Sequence, residues 1–234
     1  MQNITLPTPD ERPLSFYLAM EEYVAAAFRS GFFVWSVAPT VIIGRHQDLA
    51  AEVNLPYCRE HGIDIVRRKS GGGCVYADRG NLMISIITPH ESVDAAFSGY
   101  LGHLASFLQS LGMDAVRTEH NDVLVGGCKV SGNACLSRPE ASIVHGTLLH
   151  SVDLDAMQRA ITPSAEKLAK HAVASVRARV ANLVDLGLKL SARELSDALT
   201  AEFCSCSKML SASDIAAIED IQKSYGNPDF IHYL

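Results

Sequence analysis

Three consecutive glycines, Gly71 to Gly73, interrupt a β-forming stretch from Val66 to Ser85 (VRRKSGGGCVYADRGNLMIS) and directly follow Arg67, Arg68, Lys69 and Ser70. Glycine weakens a strand, so a run of it belongs where a ligand or a second backbone comes closer than a side chain permits. A glycine-rich turn can also aim several N–H groups at an anion. Arg67, Arg68 and Lys69 beside it would supply the countercharge, and arginine's planar fork suits phosphate or carboxylate. A tight β-turn with solvated charges accounts for the same residues. The stretch is not a P-loop, because no Gly-Lys-Ser/Thr follows it, and it is not a dinucleotide fingerprint, because no helix opens after it.

A second stretch, His120 to Ala134 (HNDVLVGGCKVSGNA), repeats the design with an Asn-Asp pair, a glycine pair, one lysine in an apolar strand pattern, and Ser-Gly. A lysine placed in an apolar strand loses hydration unless an anion or carboxylate partners it, which singles out Lys129. An edge-strand lysine pointing at water is the alternative. A third stretch, VHGTLLHSV, sets His145 before a glycine, where a satisfied core histidine is the commoner occurrence.

Around these stretches the pattern is α+β. Leu14 to about Arg29 has helical spacing, with Gly31 where a stop would sit, and Ser92 to Leu111 has it again. FFVWSVA and TVIIGR are predicted as a strand pair about a tight turn; IDIVRR, CVYAD, NLMISIIT, DVLVGGCKVSGNACLS and ASIVHGTLLHSV are further strands. Short glycine-containing turns between strands favour a mixed, largely antiparallel sheet flanked by helices. From Asp153 the chain is predicted mostly helical, including a capping box at Ser191 and Glu194, and Cys204 and Cys206 are placed on an amphipathic helix as packing residues. One domain over 1–234, with a helical C-terminal segment from about 185, suits 234 residues of which 48% are hydrophobic.

A net charge of −6 gives no global basic face, so nucleic acid is not expected as a partner. The early acids and prolines lack the order of a signal peptide, and no apolar run reaches bilayer length, so no membrane is expected. Six scattered cysteines show neither metal-ligand spacing nor disulfide density, which points to the cytoplasm.

RRKSGGGCVYADRGN resembles the Arg-Arg-x-Ser-Gly-Gly-Gly signature of lipoate–protein ligases. NDVLVGGCKVSGNA, HGTLL, TVIIGRHQ with Glu52-Val53-Asn54, and SVRARVANL (175–183) are similar to four further segments of that family, in the same order. The resemblance implies the catalytic domain shared by lipoate and biotin ligases and class II synthetase-like enzymes. The Gly-Arg-Gly-Arg-x-Gly loop of biotin ligases is absent from the sequence. It also implies activation of lipoate with ATP and Mg²⁺ to lipoyl-AMP, then transfer to a lysine of an acceptor domain, an E2 subunit of a 2-oxoacid dehydrogenase or the glycine-cleavage H protein.

Carried onto this chain, the resemblance makes Lys129 the residue bridging carboxylate and α-phosphate. Arg68, Ser70, Gly71, Gly72 and Gly73 hold the lipoyl and phosphate groups, and Asp78, Gly80 and Asn81 form the adenylate-side loop. Asn121 and Asp122 lie near nucleotide and metal, with Asp122 holding Mg²⁺ or orienting Lys129. Ser131 and Gly132 belong to the lysine segment, and His145 lies near the acyl carboxyl end.

Two departures stand out: Ala77 occupies the usual histidine position, and Cys128 precedes the lysine. The last residues, YGNPDFIHYL, fall about where larger members continue into a small C-terminal domain. The resemblance therefore implies either dependence on a separate accessory polypeptide or transfer alone. A cysteine-dependent octanoyl or lipoyl transferase is the alternative, with Cys74, Cys128 and Cys135 in or beside the motifs.

Overall fold

The computed structural model describes residues 1–161 and 180–231. In chain order these form β1 (Gln2–Thr5), α1 (Leu14–Ala27), β2 (Gly31–Trp35), β3 (Thr40–Ile43), α2 (Leu49–Glu52), α3 (Leu55–Glu60), β4 (Asp64–Arg67), β5 (Val75–Ala77) and β6 (Asn81–Pro89). There follow α4 (Val93–Ser110), β7 (Ala115–Arg117), β8 (Asp122–Val125), β9 (Cys128–Ser137), β10 (Ala141–Leu149) and α5 (Leu154–Ala160). Beyond residue 180 come α6 (Ala192–Phe203), β11 (Cys206–Met209), α7 (Ala212–Gln222), a 3-10 turn (Lys223–Gly226) and α8 (Pro228–Ile231).

Eight strands make one mixed sheet in the order β11-β1-β2-β6-β10-β9-β8-β7, and β4-β3-β5 make a second. The expected mixed, largely antiparallel sheet is what forms: β1 runs parallel to β11 and β2, and the remaining large-sheet pairs are antiparallel.

Alternation along β6 sorts the core. Leu82, Ile84 and Ile86 face α4 and α6, with Leu101, Leu104, Leu108 and Leu195. Met83 and Ile87 face α1 and α7, with Leu14, Leu18, Val24 and Ile218. Each such side chain, fully buried, contributes roughly 1.5–3 kcal/mol. The face that carries α1 is the one that also receives Ser85 and His145, which are directly opposite each other in the β6–β10 register.

Three expectations need correction. β2 and β3 do not pair: both edges of β2 are filled, by β1 and β6, and β3 passes to the second sheet between β4 and β5. The turn after α1 is made by Arg29 in the left-handed region (φ 57°), not by Gly31. Gly31 opens β2 because a Cβ there would lie 2.8 Å from Val24 and 2.9 Å from Ile4.

Among its described residues the C-terminal region is mostly helical, with one strand, β11, added to the sheet edge parallel to β1. The cysteine pair is accordingly not on a helix: Cys204 caps the end of α6 and Cys206 begins β11, exposed. The capping box at Ser191 and Glu194 does form, an arrangement worth about 1 kcal/mol.

Candidate functional site

The β8–β9 hairpin sets the geometry. Gly126 and Gly127 both take positive φ (55° and 81°), the two-residue turn that suits the twist of paired strands. Asp122 pairs with Gly132 and Val123 with Ser131, but Leu124 pairs with Lys129, so the register shifts by one residue. Side chains alternate faces along a strand, and without this bulge Lys129 would lie on the face opposite Asp122.

With the bulge, Lys129 Nζ lies 2.7 Å from Asp122 Oδ1. The lysine crosses directly over Gly132, where a Cβ would meet its Cε at 2.7 Å and Nζ at 2.8 Å. The strand behind it is tied to the 180s: Ala181 N donates to Lys129 O (3.1 Å) and Leu183 N to Leu149 O (2.8 Å). Of the SVRARVANL segment, residues 175–179 lie outside the described residues.

Lys129 stands at a pocket of about 130 Å³. Leu14, Leu18, Trp35, Ile42 and Met83 give it an apolar part, while Arg68, Asn121, Asn133, His145 and Thr147 bring polar groups. The glycine loop contributes Gly72 and Gly73. Asn133 Nδ2 donates to Asn121 O (2.9 Å), and Asn121 Nδ2 returns a bond to Asn133 O. Ser131 is buried beside them and bonds to Asn133.

The three basic residues before the glycines divide their work. Arg68 lines the pocket, yet its guanidinium donates to Gly71 O (2.7 Å), Gly73 O (2.8 Å) and Ile42 O (3.3 Å), so it shapes the loop. Burial lowers its pKa to about 10. Arg67 is fully buried and donates to the carbonyls of Gly44, Arg45, Gln47 and Ile231, while Lys69 pairs with Glu22 at 2.7 Å. The expectation of three countercharges at the glycines thus reduces to Arg68, because the neighbours satisfy backbone and carboxylate groups elsewhere.

Gly71 to Gly73 are exposed. Gly72 takes φ 93°, and its carbonyl oxygen lies 2.1 Å from where a Cβ on Gly44 would stand, so some of the close approach implied by the sequence is between two backbone segments.

Ser70 is buried, its Oγ 2.8 Å from His145 Nε2. His145 Nδ1 lies 2.7 Å from Glu21 Oε2. Asp78, Gly80 and Asn81 do not border the pocket. Asp78 Oδ1 accepts from Gly80 N (2.8 Å) and Oδ2 from Asp153 N (3.0 Å), while Asn81 Nδ2 donates to Sδ of Met83, a residue of the pocket wall (3.1 Å). A Cβ at Gly80 would lie 2.2 Å from Ser151 O, so this turn packs against the end of β10.

Among the described residues no three His, Cys, Asp or Glu side chains form a metal cluster. Asp122 offers a single carboxylate, which fits Mg²⁺ only in the form where phosphate oxygens supply most other ligands. Also among the described residues, no helix is long and apolar enough to cross a membrane.

Sequence reasoning missed Glu21, Trp35 and the apolar lining. Glu21 had a signal: it falls at a core-facing position of α1, in step with Leu14, Tyr17, Leu18, Val24 and Ala25.

Residues 13–204 match the family description "Lipoyl protein ligase A/B catalytic domain". The chain belongs to this family. It is similar to lipoate–protein ligase 1 of Staphylococcus aureus, 41% identical over 185 residues, 77% of this chain and 54% of that protein. The chain spans between half and two thirds of the length of the curated relatives it matches.

Among solved structures it is similar to a bipartite lipoate–protein ligase, described together with its E2 lipoyl domain, from Thermoplasma acidophilum (TM-score 0.86, 26% identity, covering 100% of this chain and 98% of that one). It is also similar to a lipoate–protein ligase A bound with ATP (TM-score 0.85, 25% identity, 100% and 99%). The fold is therefore that of lipoate–protein ligases.

Proposed function

We propose that this chain carries a lipoyl group as lipoyl-AMP and transfers it to a lysine of a lipoyl-acceptor domain, an E2 subunit or the glycine-cleavage H protein. The observation that carries the reading is that Lys129 lines one pocket together with the apolar side chains of Leu14, Leu18, Trp35, Ile42 and Met83. An acyl chain suits Leu14, Leu18, Trp35 and Ile42, and a mixed anhydride of carboxylate and phosphate suits the ammonium.

Lys129 acts as a fixed positive charge. Bringing a lipoate carboxylate to the α-phosphate of ATP joins two anions, and a preoriented cation between them stabilises the charge that builds there. Asp122 and Gly132 hold the ammonium in place before the reaction, and Asp122 would be one protein ligand of Mg²⁺ on the phosphates. During transfer Lys129 holds the anhydride while the acceptor's lysine attacks its acyl carbon and AMP leaves. ATP use is supported by the ATP-bound relative, and an accessory polypeptide by the bipartite one.

Cys74, which also lines the pocket, is what favours the cysteine-transferase alternative. Cys135 is a poor nucleophile, because burial, with Glu91 adding to it, pushes its thiol up to about 11.

The test is lipoylation of a purified acceptor domain, run with lipoate plus MgATP and with preformed lipoyl-AMP. Modification in the second arm is expected; whether the first also works decides the need for an accessory chain. Modification in neither arm would contradict the proposal.

A further inference from the structure

Glu21 is a buried acid that the lysine chemistry does not use: 1% of its surface is exposed, and it projects from α1 into the core. Its two oxygens serve two separate arms. Oε1 accepts from Ser85 Oγ (2.6 Å), and Ser85 Oγ in turn accepts from Trp35 Nε1 (2.9 Å). Oε2 faces His145 Nδ1 (2.7 Å), and the other ring nitrogen faces Ser70 Oγ (2.8 Å).

Trp35 and His145 line the pocket, and Ser70 is the residue from which the glycine loop departs. Glu21, Ser85 and Ser70 are not among the residues bordering the cavity. One carboxylate therefore stands behind two parts of the pocket wall without touching what fills it.

We propose that Glu21 is a positioning residue that fixes the tautomer of His145 and, through Ser70, the start of the glycine loop, while its other oxygen fixes the Trp35 indole. A carboxylate only accepts hydrogen bonds, so the histidine proton facing it sits on Nδ1. With that tautomer Nε2 carries a lone pair facing Ser70 Oγ, and Ser70 donates its hydroxyl proton there. The direction of every bond in the chain follows from the acid at one point.

Glutamine in place of Glu21 keeps the volume and breaks that logic. Its NH₂ group must face either His145, forcing the proton to Nε2 and reversing the Ser70 bond, or Ser85, whose oxygen can accept it beside Trp35 but whose own hydroxyl proton then loses its acceptor. Either way one arm carries a reversed or unpartnered hydrogen bond, while the reacting atoms near Lys129 are untouched. The inference rests on reading the pocket as the lipoyl-adenylate site, so one of its readouts is independent of substrate.

The experiment combines transfer kinetics from lipoyl-AMP with ¹⁵N NMR of His145 in the full chain without ligand. The wild type is expected to carry the His145 proton on Nδ1. Glu21→Gln and Ser70→Ala are each expected to raise KM for lipoyl-AMP about tenfold, with kcat within about twofold. The double variant is expected to be no worse than the poorer single one, since both act in one chain.

A wild-type proton on Nε2, an unchanged KM in Glu21→Gln, or additive effects in the double variant would overturn the latch. If Glu21→Gln does not fold, Ser70→Ala and the wild-type tautomer decide. Absence of transfer by the wild type would overturn the proposed function, and the tautomer would still test the latch.

Discussion

Lys129 and Asp122 meet at 2.7 Å because a single-residue bulge in β9 turns the lysine onto the aspartate's face of the hairpin. An ammonium held by a carboxylate is oriented before any phosphate arrives. Lys129→Ala is expected to lower kcat/KM for lipoyl transfer from lipoyl-AMP by about 10²–10³-fold, the range typical for loss of one preorganised charge-stabilising donor. Thermal unfolding should move little, because the lysine is partly exposed. A variant retaining near wild-type transfer would remove Lys129 from the chemistry.

Gly132→Ala should act on the same lysine indirectly. The added Cβ would stand 2.7 Å from Lys129 Cε, and the flexible side chain must move aside. The expected outcome is a loss of about tenfold or more in kcat with a melting temperature close to that of the wild type. Steady-state kinetics alongside a thermal melt would check it.

Gly44→Ala should instead damage the fold of the loop. Its Cβ would lie 2.1 Å from the Gly72 carbonyl oxygen, a contact between two backbones with no flexible side chain to yield. A destabilisation of about 1–3 kcal/mol is expected, with a raised KM for lipoyl-AMP. Denaturant unfolding compared with transfer kinetics would reveal both effects.

Cys135 provides a pH-dependent prediction. Its thiol is pushed up to about 11 in the folded protein, chiefly by burial. An unfolded thiol loses its proton lower, near the ordinary value of about 8.5. Between these values the unfolded state sheds the proton first, so this group's contribution is complete below the lower value and is lost as pH rises through the upper one. The wild-type melting temperature should therefore fall more steeply above pH 9 than that of Cys135→Ala. Equal slopes would contradict the burial argument.

The sequence disclosed the site wherever chemistry is concentrated in short motifs. Lys129 in an apolar strand needed an anionic partner, and Asp122 supplies it. The glycine run needed a close approach, and Gly44 against Gly72 is one. What it did not disclose depends on the path of the chain through space. Nothing local shows that β2 has both edges occupied, so two successive strands looked like a hairpin. β11 is an exposed edge strand without an apolar face, held by backbone pairing to β1, and periodicity has nothing to detect there.

Arg67 and Arg68 illustrate the same limit. Adjacent in sequence, one binds the carbonyls of Gly44, Arg45, Gln47 and Ile231, while the other lines the pocket and holds the glycine carbonyls. Only the fold assigns each its partners. Glu21 was visible as an acid at a core-facing helix position, but its partners come from β6 and β10, far along the chain.

The most direct test of the central claim is calorimetric binding of a non-reactive lipoyl-adenylate analogue, with a sulfamoyl linkage in place of the phosphate, to the wild type and to Lys129→Ala and Trp35→Ala. The account requires saturable one-to-one binding by the wild type. It requires weaker binding in both variants, by about tenfold or more each, since one removes the ammonium and the other part of the apolar lining. Binding unchanged in both variants, or no binding by the wild type, would contradict it.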